Sequence, residues 1–184
     1  DLLSERDDLT ITAVCDVYDD RISMMQEKLA AKCGSRPTGF IDYRELIASP
    51  LTDVIFVFAA WEAHVPAVVA AMEAGKPVAF EVGGAYSIDD CRLLIKTYEK
   101  THTPAMMLEN CMYGINEMTV TEMARAGVFG EIMHLDGGYM HDLRSEVTLG
   151  GRNRHYRLRN YLSRNCENYP THELGPICRL LGIN

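Results

Sequence analysis

The sequence predicts an α/β fold built on a parallel sheet, and residues 53–85 supply the observations that predict it. Residues 54–59 and 78–82 are apolar runs too short to be helices. Between them Val65, Val68, Val69 and Met72 recur at helical spacing. Strand, helix and strand within about thirty residues make a parallel βαβ unit. In open parallel sheets ligands sit beyond the carboxyl ends of the strands, which is where Trp61, His64 and Glu81 fall.

The other elements follow in chain order. Leu2 and Leu3 read as the tail of a helix, and residues 9–17 as a buried strand ending in Asp16. A dinucleotide-binding unit has a glycine loop after its first strand and an acidic residue about twenty positions later. Asp16 suits that acidic role, so the first strand and glycine loop are expected upstream of residue 1, and the sequence reads as a fragment. Asp19 or Asp20 is expected to cap a helix whose stripe is Ile22, Met25, Leu29 and Ala30, with Gly34 stopping it. A short strand over 38–40 and a small helix over 43–48 precede the central unit. Ser87 caps a helix reaching Lys100, with Cys91, Leu94, Ile95 and Tyr98 inward, and residues 104–109 form another strand.

This alternation is Rossmann-like as far as residue 110, and a second domain, the start of an open-sheet α/β domain over 111–184, is expected after it. There, residues 117–126 predict a helix ended by Gly127, and residues 131–141 alternate as a half-solvated strand does. Residues 144–168 read as a long polar loop of the kind that binds or covers something. Pro170 then opens a helix with Leu174, Ile177, Cys178 and Leu181 inward.

Composition excludes several classes. The chain has 184 residues, 47% hydrophobic and 24% charged, enough for one domain and part of a second. No apolar stretch approaches bilayer-spanning length, and the first residues lack the pattern of a signal peptide. A net charge of −8 speaks against nucleic-acid and membrane partners. The six cysteines include no C-x-x-C pair and Cys15 falls in a strand expected to be buried, so reduced thiols, no metal site and a cytoplasmic location are expected.

A polar residue stands at each strand end: Asp16, Trp61 with His64, Glu81, and Glu109 with Asn110. One such residue is ordinarily a helix cap; four in succession on one sheet edge suggest a binding rim. Asp16 suits paired ribose hydroxyls and points to NAD, while Arg21 keeps NADP open. Trp61, the only tryptophan, is expected to face a ligand rather than fill the core, and His64 reads equally as a surface histidine. Tyr169, Pro170, Thr171 and His172 cluster at a helix start, where backbone donors favour the neutral imidazole that a base needs; His172 as a simple cap is the competing reading. Tyr139 lies in an alternating strand and is also explained as a sheet-covering residue. The arginines of 152–164 are expected to pair with acidic neighbours, one or two reaching a polar ligand.

The run from Asp53 to Ala85 resembles the core of the Gfo/Idh/MocA family, a Rossmann domain followed by an open-sheet α/β domain. LENCMYG, GGYMHDLR, HYRLRNYLSRN and YPTHELGP resemble one branch of it, glycoside hydrolase family 109, the NAD-dependent α-N-acetylgalactosaminidases. The resemblance implies NAD contacts from Asp16, Trp61, Glu62, Ala63, His64, Glu81, Val82, Asn110 and Tyr169. It implies sugar contacts from Tyr139, Arg157, Tyr169, Pro170, Thr171 and His172, with His172 and Tyr169 as the acid/base groups. The partner implied is a small sugar or glycoside, and self-association into a homo-oligomer is compatible with it. Glu81, Val82 and Gly83 stand where the family's sugar dehydrogenases have Glu-Lys-Pro, so their catalytic lysine is absent; the glycosidase pattern itself has proline where Gly83 stands. A sugar or polyol dehydrogenase and a non-catalytic sugar- or nucleotide-sensing module are the rival expectations.

Overall fold

The computed structural model describes residues 3–183, which excludes Leu2 of the expected leading helix; Leu3–Glu5 is a single 3-10 turn. The chain divides into two compact units, one made of Asp1–Phe80 and Ala85–Met106, the other of Glu81–Gly84 and Met107–Asn184. No helix of the described residues is long and apolar enough to cross a membrane.

The first unit alternates strand and helix. β1 (Ala13–Cys15), α1 (Asp19–Cys33), β2 (Thr38–Phe40) and α2 (Tyr43–Ala48) lead to β3 (Ile55–Val57), α3 (Trp61–Glu73), β4 (Val78–Phe80), α4 (Ile88–Thr101) and β5 (Ala105–Met107). β1 pairs parallel with β2, Val14 opposite Gly39, and β3 pairs parallel with β4, Phe56 opposite Ala79. The α/β parallel-sheet expectation therefore holds. The single rim does not: the strands form a two-stranded sheet, β1-β2, and a three-stranded sheet, β3-β4-β5.

The core of this unit is α3 against β3 and β4. Val68 and Ala71 are fully buried, and Val65, Met72, Ile55, Val57 and Val78 nearly so. β3 buries only one of its faces; Phe56 and Phe58 stack on the other with centroids 6.3 Å apart and remain exposed. Gly34 ends α1 as expected, at φ +73. The start of α1 differs from expectation. Tyr18 is the N-cap and Asp19 and Asp20 lie inside the first turn, where their charge faces the helix dipole instead of capping it.

α4 is rotated from the expected stripe. Cys91, Ile95 and Tyr98 are exposed, while Thr97 is buried. Thr97 bonds the carbonyl of Leu93 and Thr101 that of Thr97, so each hydroxyl is satisfied on its own helix and can face inward beside α3. The apolar residues are displaced to the outer side as a result.

Cys15 is exposed rather than buried, and all six cysteines are free. Partial burial of its thiol, with the carboxylates of Asp16, Asp42 and Glu45, still pushes Cys15 up to about 11. Alkylation near pH 8 is therefore expected to label Cys15 roughly tenfold more slowly than the exposed Cys33, Cys91 or Cys166, since its smaller thiolate fraction is partly offset by the greater nucleophilicity of a more basic thiolate. Peptide mapping after a short iodoacetamide pulse reads this directly, and equal labelling would contradict it.

The second unit is helical where described. It holds a 3-10 turn (Asn110–Met112), α5 (Ile115–Arg125), α6 (Arg144–Thr148), α7 (Arg157–Ser163) and α8 (Pro170–Leu181). α5 starts two residues before the expected helix and stops before Gly127, whose φ is +74. Residues 131–141 form no strand, because no described segment pairs with them; Met133 and Met140 lie open. The expected 144–168 loop is in fact two short helices joined by turns. In α8 the inward residue is His172; Leu174 and Leu181 are about half exposed, and Pro176 lies inside the helix.

Candidate functional site

The sequence-derived residues divide between the two units. In the first, Asp16 follows β1, and its Oδ1 accepts from the amide of Tyr18 at 3.0 Å while Oδ2 lies 3.9 Å from Arg21 Nη1. A partly exposed carboxylate at the end of a parallel strand fits a ribose diol. The Trp61 segment differs from expectation. Trp61 is 4% and His64 1% exposed, so both are core residues. His64 Nε2 donates to the carbonyl of Ala59 at 2.9 Å, and its ring meets Phe80 edge-on. The ring fills the hollow where β3 turns into α3, which is why an apolar environment holds a histidine there. Glu62 and Ala63 keep partial solvent contact.

In the second unit Glu81 is partly exposed, Val82 buried and Asn110 exposed. The main constellation gathers about the start of α8. Pro170 occupies the first helical turn, whose N-cap is Tyr169, and this directs Thr171 and His172 toward Glu109. Thr171 Oγ1 donates to Glu109 Oε2 at 2.5 Å, and His172 Nδ1 lies 2.6 Å from Glu109 Oε1, which also accepts from the amide of Cys111 at 2.9 Å. The two side chains are 4% and 5% exposed. Burial pushes the Glu109 carboxyl up, but the hydrogen bonds from Thr171, the Cys111 amide and His172 outweigh it and hold the group below the usual carboxylate value. An ionised carboxylate only accepts, so Nδ1 is the donor and its proton is fixed there. His172 is thus not a simple helix cap.

Two rings flank the imidazole. Tyr139 lies 4.5 Å from His172, centroid to centroid, and Tyr169 lies 5.1 Å away at 30° between planes. Tyr139 and Tyr169 meet edge-on at 6.0 Å, so the expectation that Tyr139 covers a sheet face gives way to a place in this cluster. Arg157 Nη2 donates to Tyr169 Oη at 2.8 Å, and Nη1 pairs with Glu146. Tyr156 is hydrogen-bonded to the same phenol; its burial, beside Tyr169, raises its own hydroxyl well above the usual phenol value. Tyr169 Oη thus accepts from Arg157 and shares a hydrogen bond with Tyr156.

A cavity of about 280 Å³ opens beside these groups, walled by Tyr139, His141, Arg157 and Tyr169, with Glu146 and Asn168 at its polar side. The volume is near the lower end of ordinary ligand pockets, roughly 300 Å³, and suits one sugar ring. His172 is not on its wall; it lies behind Tyr139 and Tyr169. Sequence reasoning singled out Tyr139, Arg157, Tyr169 and His172, which are brought together here. It placed Glu109 only among the strand-end polar residues and assigned no role to Glu146 or Tyr156. Glu109 left one signal, its position at a strand end, whereas Glu146 left none once 144–168 was read as loop.

The fold is of the Rossmann type, shared with solved dehydrogenase structures. Myo-inositol 2-dehydrogenase from Lactobacillus plantarum superposes with a TM-score of 0.77 at 14% identity, covering 97% of this chain and 50% of that one. Scyllo-inositol dehydrogenase from Lactobacillus casei, with bound NAD(H) and scyllo-inositol, superposes with a TM-score of 0.72 at 13% identity, covering 97% and 50%.

In sequence the resemblance to glycoside hydrolase family 109 is borne out. Residues 113–184 match the family model described as the glycosyl hydrolase 109 C-terminal domain. The α-N-acetylgalactosaminidase of Bacteroides fragilis is 36% identical over 181 residues, covering 95% of this chain and 43% of that protein. The chain thus spans about two fifths of the length of the curated relatives it matches.

Proposed function

We propose that this sequence belongs to an NAD-dependent glycosidase that cleaves α-N-acetylgalactosaminides by transient oxidation at C3, elimination across C1 and C2, hydration and reduction. The observation that supports it best is the Glu109–His172 pair beside a sugar-sized cavity walled by Arg157 and Tyr169. The similarity to the Bacteroides fragilis enzyme supports the substrate class.

Asp16 would hold the adenosine ribose of NAD. The sequence contains no G-x-G-x-x-G run, so a pyrophosphate cradle of that type is not among these residues. When bound, NAD⁺ would supply a reversible hydride acceptor, and a C3 ketone makes the C2 hydrogen acidic. The chain's own residues handle position and protons. Arg157 and Tyr139 orient the ring. The C3 hydroxyl releases its proton to solvent as hydride leaves and regains one when hydride returns; His172, with Nδ1 held as donor, has Nε2 to accept the C2 proton, and Tyr169 donates toward the departing C1 oxygen. His172 reaches the sugar once Tyr139 moves aside. Tyr139 belongs to residues 131–141, which no ladder holds. Addition of water at C1 retraces the same proton transfers.

Incubation of the protein with NAD⁺ and an aryl α-N-acetylgalactosaminide tests the reading. Release of the aryl group without accumulation of NADH is expected. NADH rising in step with substrate consumed, with the glycosidic bond intact, would replace the glycosidase by a sugar dehydrogenase.

A further inference from the structure

The second unit brings together a third group that sugar chemistry does not use, the thiol of Cys111. One ligand atom each from Glu109, Cys111 and His172 lies within 4.8 Å of the other two. Their convergence is built into the local fold. Glu109 caps the 3-10 turn by accepting from the Cys111 amide, which sets Cys111 beside it, and the first turn of α8 delivers His172 to the same carboxylate. Two of the three residues are buried and the third is partly so.

Around tetrahedral zinc, ligand atoms at about 2.0–2.3 Å from the metal stand roughly 3.3–3.8 Å from one another. Closing the trio on such an ion therefore asks for movement of about 1 Å or less from each side chain. One sulfur, one imidazole nitrogen and one carboxylate oxygen form a donor set for a borderline-soft cation, not for magnesium or calcium. We propose that Glu109, Cys111 and His172 bind a thiophilic divalent cation, Zn²⁺ or Cd²⁺, with a fourth position left for water.

The charges balance. Cys111 gives up its thiol proton and His172 the Nδ1 proton it donates to Glu109, both released to solvent, so thiolate, carboxylate and neutral imidazole face a doubly charged ion. Metal on Nδ1 leaves the ring proton on Nε2, where the imidazole no longer accepts one. The metal-loaded protein is therefore an inhibited form, and no catalytic step requires the ion. Binding itself is independent of the glycosidase reading, since it is measured without turnover.

The test is titration of the chelator-treated protein with Cd²⁺, followed by thiolate-to-cadmium absorbance, and with Zn²⁺ by calorimetry. One tight equivalent of each is expected. Cys111→Ser should abolish the tight equivalent's charge-transfer band and weaken Zn²⁺ about 100-fold or more, since even outer-shell partners are worth 10–100-fold. His172→Gln should weaken Zn²⁺ similarly, whereas Cys91→Ser and Cys166→Ser, at exposed positions, should change neither signal. Absence of a tight equivalent, a band that survives Cys111→Ser, or an affinity unchanged by His172→Gln would each overturn the proposal.

Discussion

Replacing His172 with alanine is expected to lower hydrolysis of an α-N-acetylgalactosaminide by roughly 10²–10⁴-fold, the usual worth of a positioned acid or base. The loss should fall on kcat, because Arg157 and Tyr169, which face the cavity, remain to hold the sugar. His172→Asn separates chemistry from support. Its amide can still donate to Glu109, preserving the buried contact, but it has no basic nitrogen to take a proton. Both variants should therefore be equally slow. An asparagine variant within about tenfold of the parent would place His172 outside the chemistry, since a base is worth 10²–10⁴-fold, and leave Tyr169 as the group to test next.

Truncating Glu109 to alanine is expected to destabilise the second unit by about 3–5 kcal/mol, because a buried donor left without its acceptor costs roughly 1–3 kcal/mol. Both partners are almost wholly shielded from water, so solvent screening does not reduce the figure. The change strands three donors at once: Thr171 Oγ1, the Cys111 amide and His172 Nδ1. Denaturant unfolding followed by circular dichroism measures the loss. Tryptophan fluorescence is the wrong probe, because Trp61 sits in the first unit.

The pH dependence carries the same signature. The folded-state carboxyl is held below its unfolded value, so its stabilisation is complete above the unfolded pKa and is lost as pH falls through the folded one. Glu109→Gln should flatten that acid limb. A loss below about 1 kcal/mol for Glu109→Ala would show the pair to be a minor contact, as exposed ion pairs are.

Much of the first unit was legible because its elements are local. β2 and α2 fall on the expected residues, and Gly34 closes α1 through the left-handed geometry that glycine adopts without strain. The helical period of Val65, Val68 and Met72 identified α3 and its buried face. Failures came where a distant partner decides. Residues 131–141 have strand periodicity, but a strand exists only against a neighbour, and none is described.

Trp61 was expected at a ligand because strand ends carry sites; its large apolar ring was worth more in the core. The 144–168 segment looked polar throughout, yet it holds two short helices on which Val147 and Leu158 are half-buried. In the second unit the sequence marked the ring cluster but not its anchor. Glu109 stands sixty-three residues before His172, and only folding reveals that separation as a contact.

Pro176 gives the start of α8 an unusual mechanical independence. Lacking an amide hydrogen, it has nothing to offer the carbonyl of His172 one turn earlier, so the helix ladder is interrupted behind the imidazole. What fastens that opening turn is then lateral: two side-chain tethers to a single carboxylate. Protonation of the carboxylate weakens both tethers and loosens the turn without unwinding the remainder of the helix. The imidazole's placement thus answers to the state of one acid group, like a latch whose catch lies on a different segment of the chain.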